Sequence, residues 1–242
     1  MPFNLTTYQS LFKGREDVYA KSMEKDGKIV YMPSYDVNWQ EYAAHKAKGG
    51  SMKDFDGKSY SKLTDANLLK HVNGRETIGI YPLLPDNTSW FIAADFDETA
   101  AANNNWLHEC KGFIKECEKH ELPVYLERSH SGKGGRVWLF FEAPYLAEKS
   151  RKIFSALLKN SMASSAKSDI NFDRFSPNQD VHSGKGFGNL IALPLQKQAV
   201  EKGNSCFINS ETLEPFTDQW AFLETVKRVS VARLDEVLNE FL

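Results

Sequence analysis

The sequence predicts an α+β fold: an antiparallel sheet of β-α-β-β-α-β order with its helices on one face, beside an N-terminal α/β part. Three observations carry this expectation. Residues 90–97, WFIAADFD, form a β-type run that ends in two acids. Leu107, Cys110, Ile114 and Cys117, and later Ile153, Phe154, Leu157 and Leu158, recur at helical spacing. Between those helices, LPVYLERS and RVWLFFEAP flank a Gly-rich loop and read as two strands.

Along the chain, AAHKAKGGSMKDFDGKSYSK (43–62) reads as a surface loop because Gly and Lys dominate it. SKLTDANLLKHVNG (61–74) then gives a short amphipathic helix closing at Asn73-Gly74. TIGIYPLL (77–84) and SWFIAADFD (89–97), joined by PDNT, are expected to be hairpin partners. NNNWLHECKGFIKECEKH (103–120) is a helix behind an Asn-rich start, and LAEKSRKIFSALLKNSM (146–162) is the second. The last strand of the unit falls in NLIALPL (189–195) or in INFD (170–173). The tail from Thr217 reads as one or two helices, and no internal repeat is apparent. The expected division is 1–88 as an N-terminal α/β module, 89–200 as the catalytic sheet with its helices, and 201–242 as a C-terminal strand and helices.

Composition narrows the function classes. The 242 residues carry a net charge of −2, so no global basic field announces a polyanion partner. Local basic rows at Lys149, Arg151, Lys152, Lys185 and Lys197 would be template contacts or solvated faces. No apolar run approaches the roughly 20 residues that cross a bilayer, and the start lacks a signal-peptide pattern, so a cytoplasmic location without membrane contact is expected. Cys110, Cys117 and Cys206 are too scattered for zinc or a disulfide framework and are expected as reduced, buried thiols. Trp138 lies in a continuously apolar run and is expected in the core.

Side chains alternate along a strand, so Asp95 and Asp97 share one face while Trp90, Ile92, Ala94 and Phe96 point to the helices. Two carboxylates so close repel unless a cation lies between them or one takes a proton. An oxygen-only site suits Mg²⁺ or Mn²⁺. A lone D-x-D is also an ordinary solvated strand end. ERSHSGKGGRVW (127–138) adds a loop whose glycines let backbone N–H groups approach an anion and whose basic residues neutralise it. A plain hairpin tip is the alternative. INFDRFSPNQD (170–180) offers Asp173 as a third acid beside Arg174, with Asp180 in reserve; either acid is equally a cap or turn residue.

Three longer stretches, GIYPLLPDNTSWFIAADFDE, LERSHSGKGGRVWLFFEAP and FDRFSPNQDVHSGKGFGNLIALPLQ, with LFKGREDVYA near the start, resemble the archaeo-eukaryotic primase superfamily. The resemblance is to the primase-polymerase domain of TOTE conflict systems and its CRISPR-associated relatives. It implies an RRM-like catalytic sheet and template-directed nucleotidyl transfer from dNTPs or NTPs. It implies two Mg²⁺ or Mn²⁺ ions on Asp95, Asp97 and Asp173. Triphosphate and sugar contacts would come from Ser129, His130, Ser131, Gly132, Lys133, Gly134, Arg136, Asn178 and Gln179. Implied partners are a single-stranded or primed DNA or RNA template, and helicase or nuclease modules or CRISPR adaptation proteins.

One departure stands out. The family's middle motif is similar to S-G-x-G-x-H-x-W, with His where this chain has Arg136 and usually Arg where it has His130. A loop centred near Lys133 would set residues 130 and 136 opposite each other, so that imidazole and guanidinium are exchanged between strands. The rival readings are a catalytically weakened relative that binds nucleotides or nucleic acid, a metal-dependent phosphodiesterase, and a non-catalytic RNA-binding domain, whose open sheet face would carry stacking aromatics.

Overall fold

A computed structural model describes residues 4–98, 106–163 and 171–242. The Asn-rich start expected for the helix at 103–120, and Ile170, lie outside the described residues. Helix α1 (Leu5–Leu11) precedes strands β1 (Ala20–Lys25), β2 (Lys28–Pro33) and β3 (Tyr35–Val37), helix α2 (Trp39–Ala47), β4 (Lys58–Tyr60), α3 (Asp65–Val72) and β5 (Ile78–Ile80). Next come β6 (Thr88–Asp97), α4 (Trp106–Lys119), β7 (Val124–Arg128), β8 (Gly134–Leu146), α5 (Ala147–Ala163) and β9 (Phe172–Ser176). The chain closes with β10 (Ile191–Ala192), α6 (Lys197–Val200), β11 (Cys206–Phe207), α7 (Gln219–Thr225) and α8 (Val231–Glu240).

The α+β class and the β-α-β-β-α-β order hold. The main sheet runs β11-β7-β8-β6-β9, with β6 and β8 central and every pairing antiparallel. INFD supplies its fourth strand. NLIALPL instead crosses to a second sheet of order β10-β5-β1-β2, where Ile191 and Ala192 pair with Ile80 and Gly79.

Two expectations fail for identifiable reasons. TIGIYPLL and SWFIAADFD are not hairpin partners: β5 pairs with β1 and β10, while β6 pairs with β8 and β9. The PDNT turn does form, with Leu84 N donating to Thr88 O and Asn87 at φ +66°. However, all three residues of β5 are buried, as befits a strand enclosed on both faces and paired on both edges. The stretch 43–62 is only partly loop. Asn38 caps α2 by accepting from Gln40 N and Glu41 N, and Phe55 is buried against the rings of Tyr42 and His45, each 5.3 Å away. A cap one residue ahead of the apolar Trp39 outweighed the Gly-Lys composition farther on.

The helices α4 and α5 cover one face of the main sheet through Phe96–Phe113, Phe113–Phe154 and Phe154–Phe175 contacts at 5.1–5.9 Å. The opposite face is not open along its length. Phe12, following α1, packs edge-on against Trp138 and Phe140 at 5.3 and 5.5 Å, and Phe207 packs at a tilt on Phe222 of α7 at 5.2 Å. Trp138 is fully buried there, and the three cysteines are free and buried, as expected. Among the described residues no helix is long and apolar enough to cross a membrane.

A buried histidine on α3 ties β5 to the segment that follows β10, within the second sheet. His71 Nδ1 accepts from Ile78 N at 3.1 Å, which leaves Nε2–H to donate to Pro194 O at 2.9 Å. Burial pushes its pKa down to about 4. The folded state therefore binds fewer protons than the unfolded chain between pH 4 and about 6.5, and stability is lost as pH falls through that window, by about 3 kcal/mol in full. Acid titration of Tm is expected to be steeper in the wild type than in His71→Gln; equal slopes would contradict this.

Candidate active site

Strand register builds the site. Opposite Asp95 stand Arg136 on β8 and Arg174 on β9, and opposite Arg136 stands Glu127 on β7. The result is a row of alternating charge across four strands: Arg174, Asp95, Arg136, Glu127. Asp97 lies two residues along from Asp95 on the same face.

Asp173 joins them through a bulge. Asp95 pairs with Arg174 but Phe96 with Phe172, so residue 173 is the extra one on β9. A bulge re-aims the side chain it carries. Carboxylate oxygens of Asp95, Asp97 and Asp173 all lie within 4.8 Å of one another. Asp97 N is fixed by Asn171 O at 2.8 Å, and Asn171 is held by both oxygens of Glu109 on α4.

The three acids fit a divalent cation. Asp95 Oδ1 is buried and accepts no hydrogen bond. Burial, and then the neighbouring charge of Asp95, lift the Asp97 pKa above the usual carboxylate range, an effect of crowded acids that Arg136 and Arg174 offset only in part. Arg174 Nε donates to Asp173 Oδ2 at 2.5 Å, and Arg136 Nε lies 3.3 Å from Asp95 Oδ1. An all-carboxylate donor set beside an orphaned oxygen suits Mg²⁺ or Mn²⁺.

The Gly-rich segment 129–133 is the β7–β8 loop. Ser129 N donates to Gly134 O, Gly132 N to Ser129 O, and Lys133 N to Ser131 Oγ at 3.2 Å, with Gly132 at φ +76°. Glu98 N donates to Lys133 O at 2.8 Å, which ties the loop to the end of the acid strand. The pentapeptide H-S-G-K-G recurs at 182–186 with the same turn: Lys185 N donates to Ser183 Oγ, and Gly184 also has φ +76°. The two copies differ in their histidines. His182 is folded onto Arg15 and the loop backbone, whereas His130 is exposed.

The expected exchange of His130 and Arg136 does not survive. The hairpin centres between residues 131 and 132, so Glu127 faces Arg136 and His130 belongs to the loop. Partial burial, then the positive charges of Arg136 and Lys202, hold the His130 pKa below its ordinary value. Arg136 is itself nearly enclosed, with Nη1 donating to Ala192 O at 3.3 Å and lying 3.6 Å from Glu127 Oε1. Burial works against its charge, yet Asp95 and Glu127 raise its pKa above the ordinary value.

Other expected residues are dispersed. Asn178 carries a buried Oδ1 without a partner, and Gln179 packs against Gly188. Asp180 is paired with Arg151 at 2.6 Å. Lys149 and Lys152 are paired with Asp235 and Glu148, and with Arg151 they belong to α5, on the face of the sheet away from Asp95. Glu127 is the site residue that sequence reasoning missed. Its signal was an acid inside an apolar strand, where an unpaired charge is costly.

Gly134 faces Asp97 across the β6–β8 pair, and any Cβ there would run into Asp97 Oδ1 and Phe96 O. Gly134→Ala is expected to cost about 1–3 kcal/mol, a Tm drop of several degrees, and to displace Asp97. An unchanged Tm with unchanged divalent-ion affinity would refute this.

Fold and acids together are those of a polymerase-type nucleotidyltransferase domain. More narrowly, residues 4–237 match the Archaeo-Eukaryotic Primase domain of TOTE conflict systems, and the chain belongs to that family. Among solved structures it is similar to the polymerase domain of Mycobacterium tuberculosis ligase D in complex with DNA. Identity is 12%, the TM-score is 0.48, and the match covers 97% of this chain and 83% of that one. Among curated proteins none matches.

Proposed function

We propose that the domain carries out template-directed nucleotidyl transfer, adding nucleotides from dNTPs or NTPs to a 3′-hydroxyl and releasing pyrophosphate. The observation that carries this is the convergence of Asp95, Asp97 and Asp173 from two strands, with one buried oxygen that accepts no hydrogen bond. Asp95, Asp97 and Asp173 would hold two Mg²⁺ or Mn²⁺, which when bound lower the pKa of the attacking hydroxyl and neutralise the leaving group. The chain's own part is binding and orientation. The side chains of Ser131, Lys133 and His130 would take the triphosphate. Arg136 is committed to Asp95, Glu127 and Ala192 O, so we assign it to shaping the acid cluster. The division into 1–88, 89–200 and 201–242 belongs to this proposal, with β10 shared between the first two parts.

The test is a labelled primer on a template, with dNTPs or NTPs, Mg²⁺ or Mn²⁺, and a chelator control. Extension that the chelator stops is expected. Loss of the labelled end would favour the phosphodiesterase, and triphosphate binding without extension the weakened relative.

A further inference from the structure

We infer that Glu127 is a positioning residue for the acid cluster: it draws the Arg136 guanidinium away from Asp95 and so keeps an Asp95 oxygen available to a cation. The inference rests on the metal reading above. It comes from how one guanidinium is shared. A lone arginine–carboxylate pair closes to about 2.7–2.9 Å and often engages both oxygens. Here no contact is that short: Arg136 lies 3.3 and 3.4 Å from the two Asp95 oxygens, 3.6 Å from Glu127 Oε1 and 3.3 Å from Ala192 O. The guanidinium hangs between three acceptors and saturates none. Asp95 Oδ1 and Glu127 Oε1 are both left buried without a hydrogen bond.

Glu127 cannot drift toward the arginine. It is fully buried, and Trp138 Nε1 donates to its Oε2 at 2.8 Å. Trp138 in turn is wedged among Phe12, Phe91 and Phe140. The pull on Arg136 therefore comes from a fixed point on the strand next to its own, on the side away from Asp95. Remove that charge and the guanidinium has one carboxylate left, whose two oxygens already lie 3.3 and 3.4 Å from Nε, so that a shift of about half an ångström would close the pair. A cation would then have to displace it.

The experiment is a titration of the full chain with Mn²⁺ alone, reading free Mn²⁺ by electron paramagnetic resonance. Glu127→Gln keeps the shape and removes the charge, and is expected to raise the Mn²⁺ Kd about tenfold. Glu127→Asp keeps the charge and should stay within about threefold of wild type. Glu127→Gln/Arg136→His has no guanidinium to fall onto Asp95, and should bind Mn²⁺ as Arg136→His does. This last comparison decides the matter even if the Gln variant alone does not fold.

A Gln variant that matches wild type, equal weakening by Gln and Asp, or a double variant weaker than Arg136→His would each overturn the role. A purely structural part for Glu127 would move Tm and leave the Mn²⁺ Kd alone. A wild type that takes up no Mn²⁺ overturns the metal reading itself, which is a different failure from an indifferent Gln variant.

Discussion

Primer extension by the Asp95→Ala/Asp97→Ala variant is expected to fall by about 10³-fold or more, with the fold intact. Divalent ions contribute several kcal/mol of transition-state stabilisation in such transfers, and each 1.4 kcal/mol is about a factor of ten in rate. The variant removes two of the three carboxylates that lie within 4.8 Å of one another and leaves Asp173 paired with Arg174 and Arg136 with Glu127. The site loses the acids that would hold a cation. Neither side chain packs in the apolar core, because that work falls to Ile92, Ala94 and Phe96 on the other face. Circular dichroism and gel filtration should match wild type, and affinity for primed template should be retained. Extension at the wild-type rate would end the two-metal reading.

Phe12→Ala is expected to cost about 3–5 kcal/mol, a fall in Tm on the order of 10 °C. Phe12 is 4% exposed and touches the rings of Tyr8, Trp138, Phe140 and Phe207. It is the plug by which the first part of the chain closes the second face of the main sheet. Deleting the ring opens a cavity among Tyr8, Trp138, Phe140 and Phe207. Thermal unfolding followed by circular dichroism measures the cost. A loss under about 1 kcal/mol would show that the aromatic cover is not a supporting element.

Local patterns made much of the fold legible. Leu107, Cys110, Ile114 and Cys117 are spaced as α4 requires, and the runs that became β6, β7 and β8 announced themselves by composition. Thr64 caps α3 with Asn67 in a reciprocal pair, a start that the sequence reading did not draw on. Nonlocal pairing was less accessible. Nothing near PDNT says that β5 will enter another sheet, since that depends on Ile191 and Ala192 far along the chain. At the site, Asp95 and Asp97 followed from strand alternation alone. Asp173 was identifiable as an acid in the right neighbourhood, but its aim depends on a bulge that needs the partner strand to define it. The register of β7 against β8 decided the rest. A shift of the loop centre by one to two residues gave Arg136 an acid for a neighbour and sent His130 into the loop.

The position of β10 bears on how the polypeptide is completed as it leaves the ribosome. When residues 1–88 have emerged, β5 pairs with β1 on one side and offers bare N–H and C=O groups on the other. That edge is filled only when Ile191 and Ala192 arrive, after both helices and all four strands of the β-α-β-β-α-β unit have been made. His71 waits equally long for the carbonyl of Pro194. Nascent chains arrested before residue 190 would thus carry an unpaired strand, a natural place for a chaperone to hold or for two unfinished copies to stick.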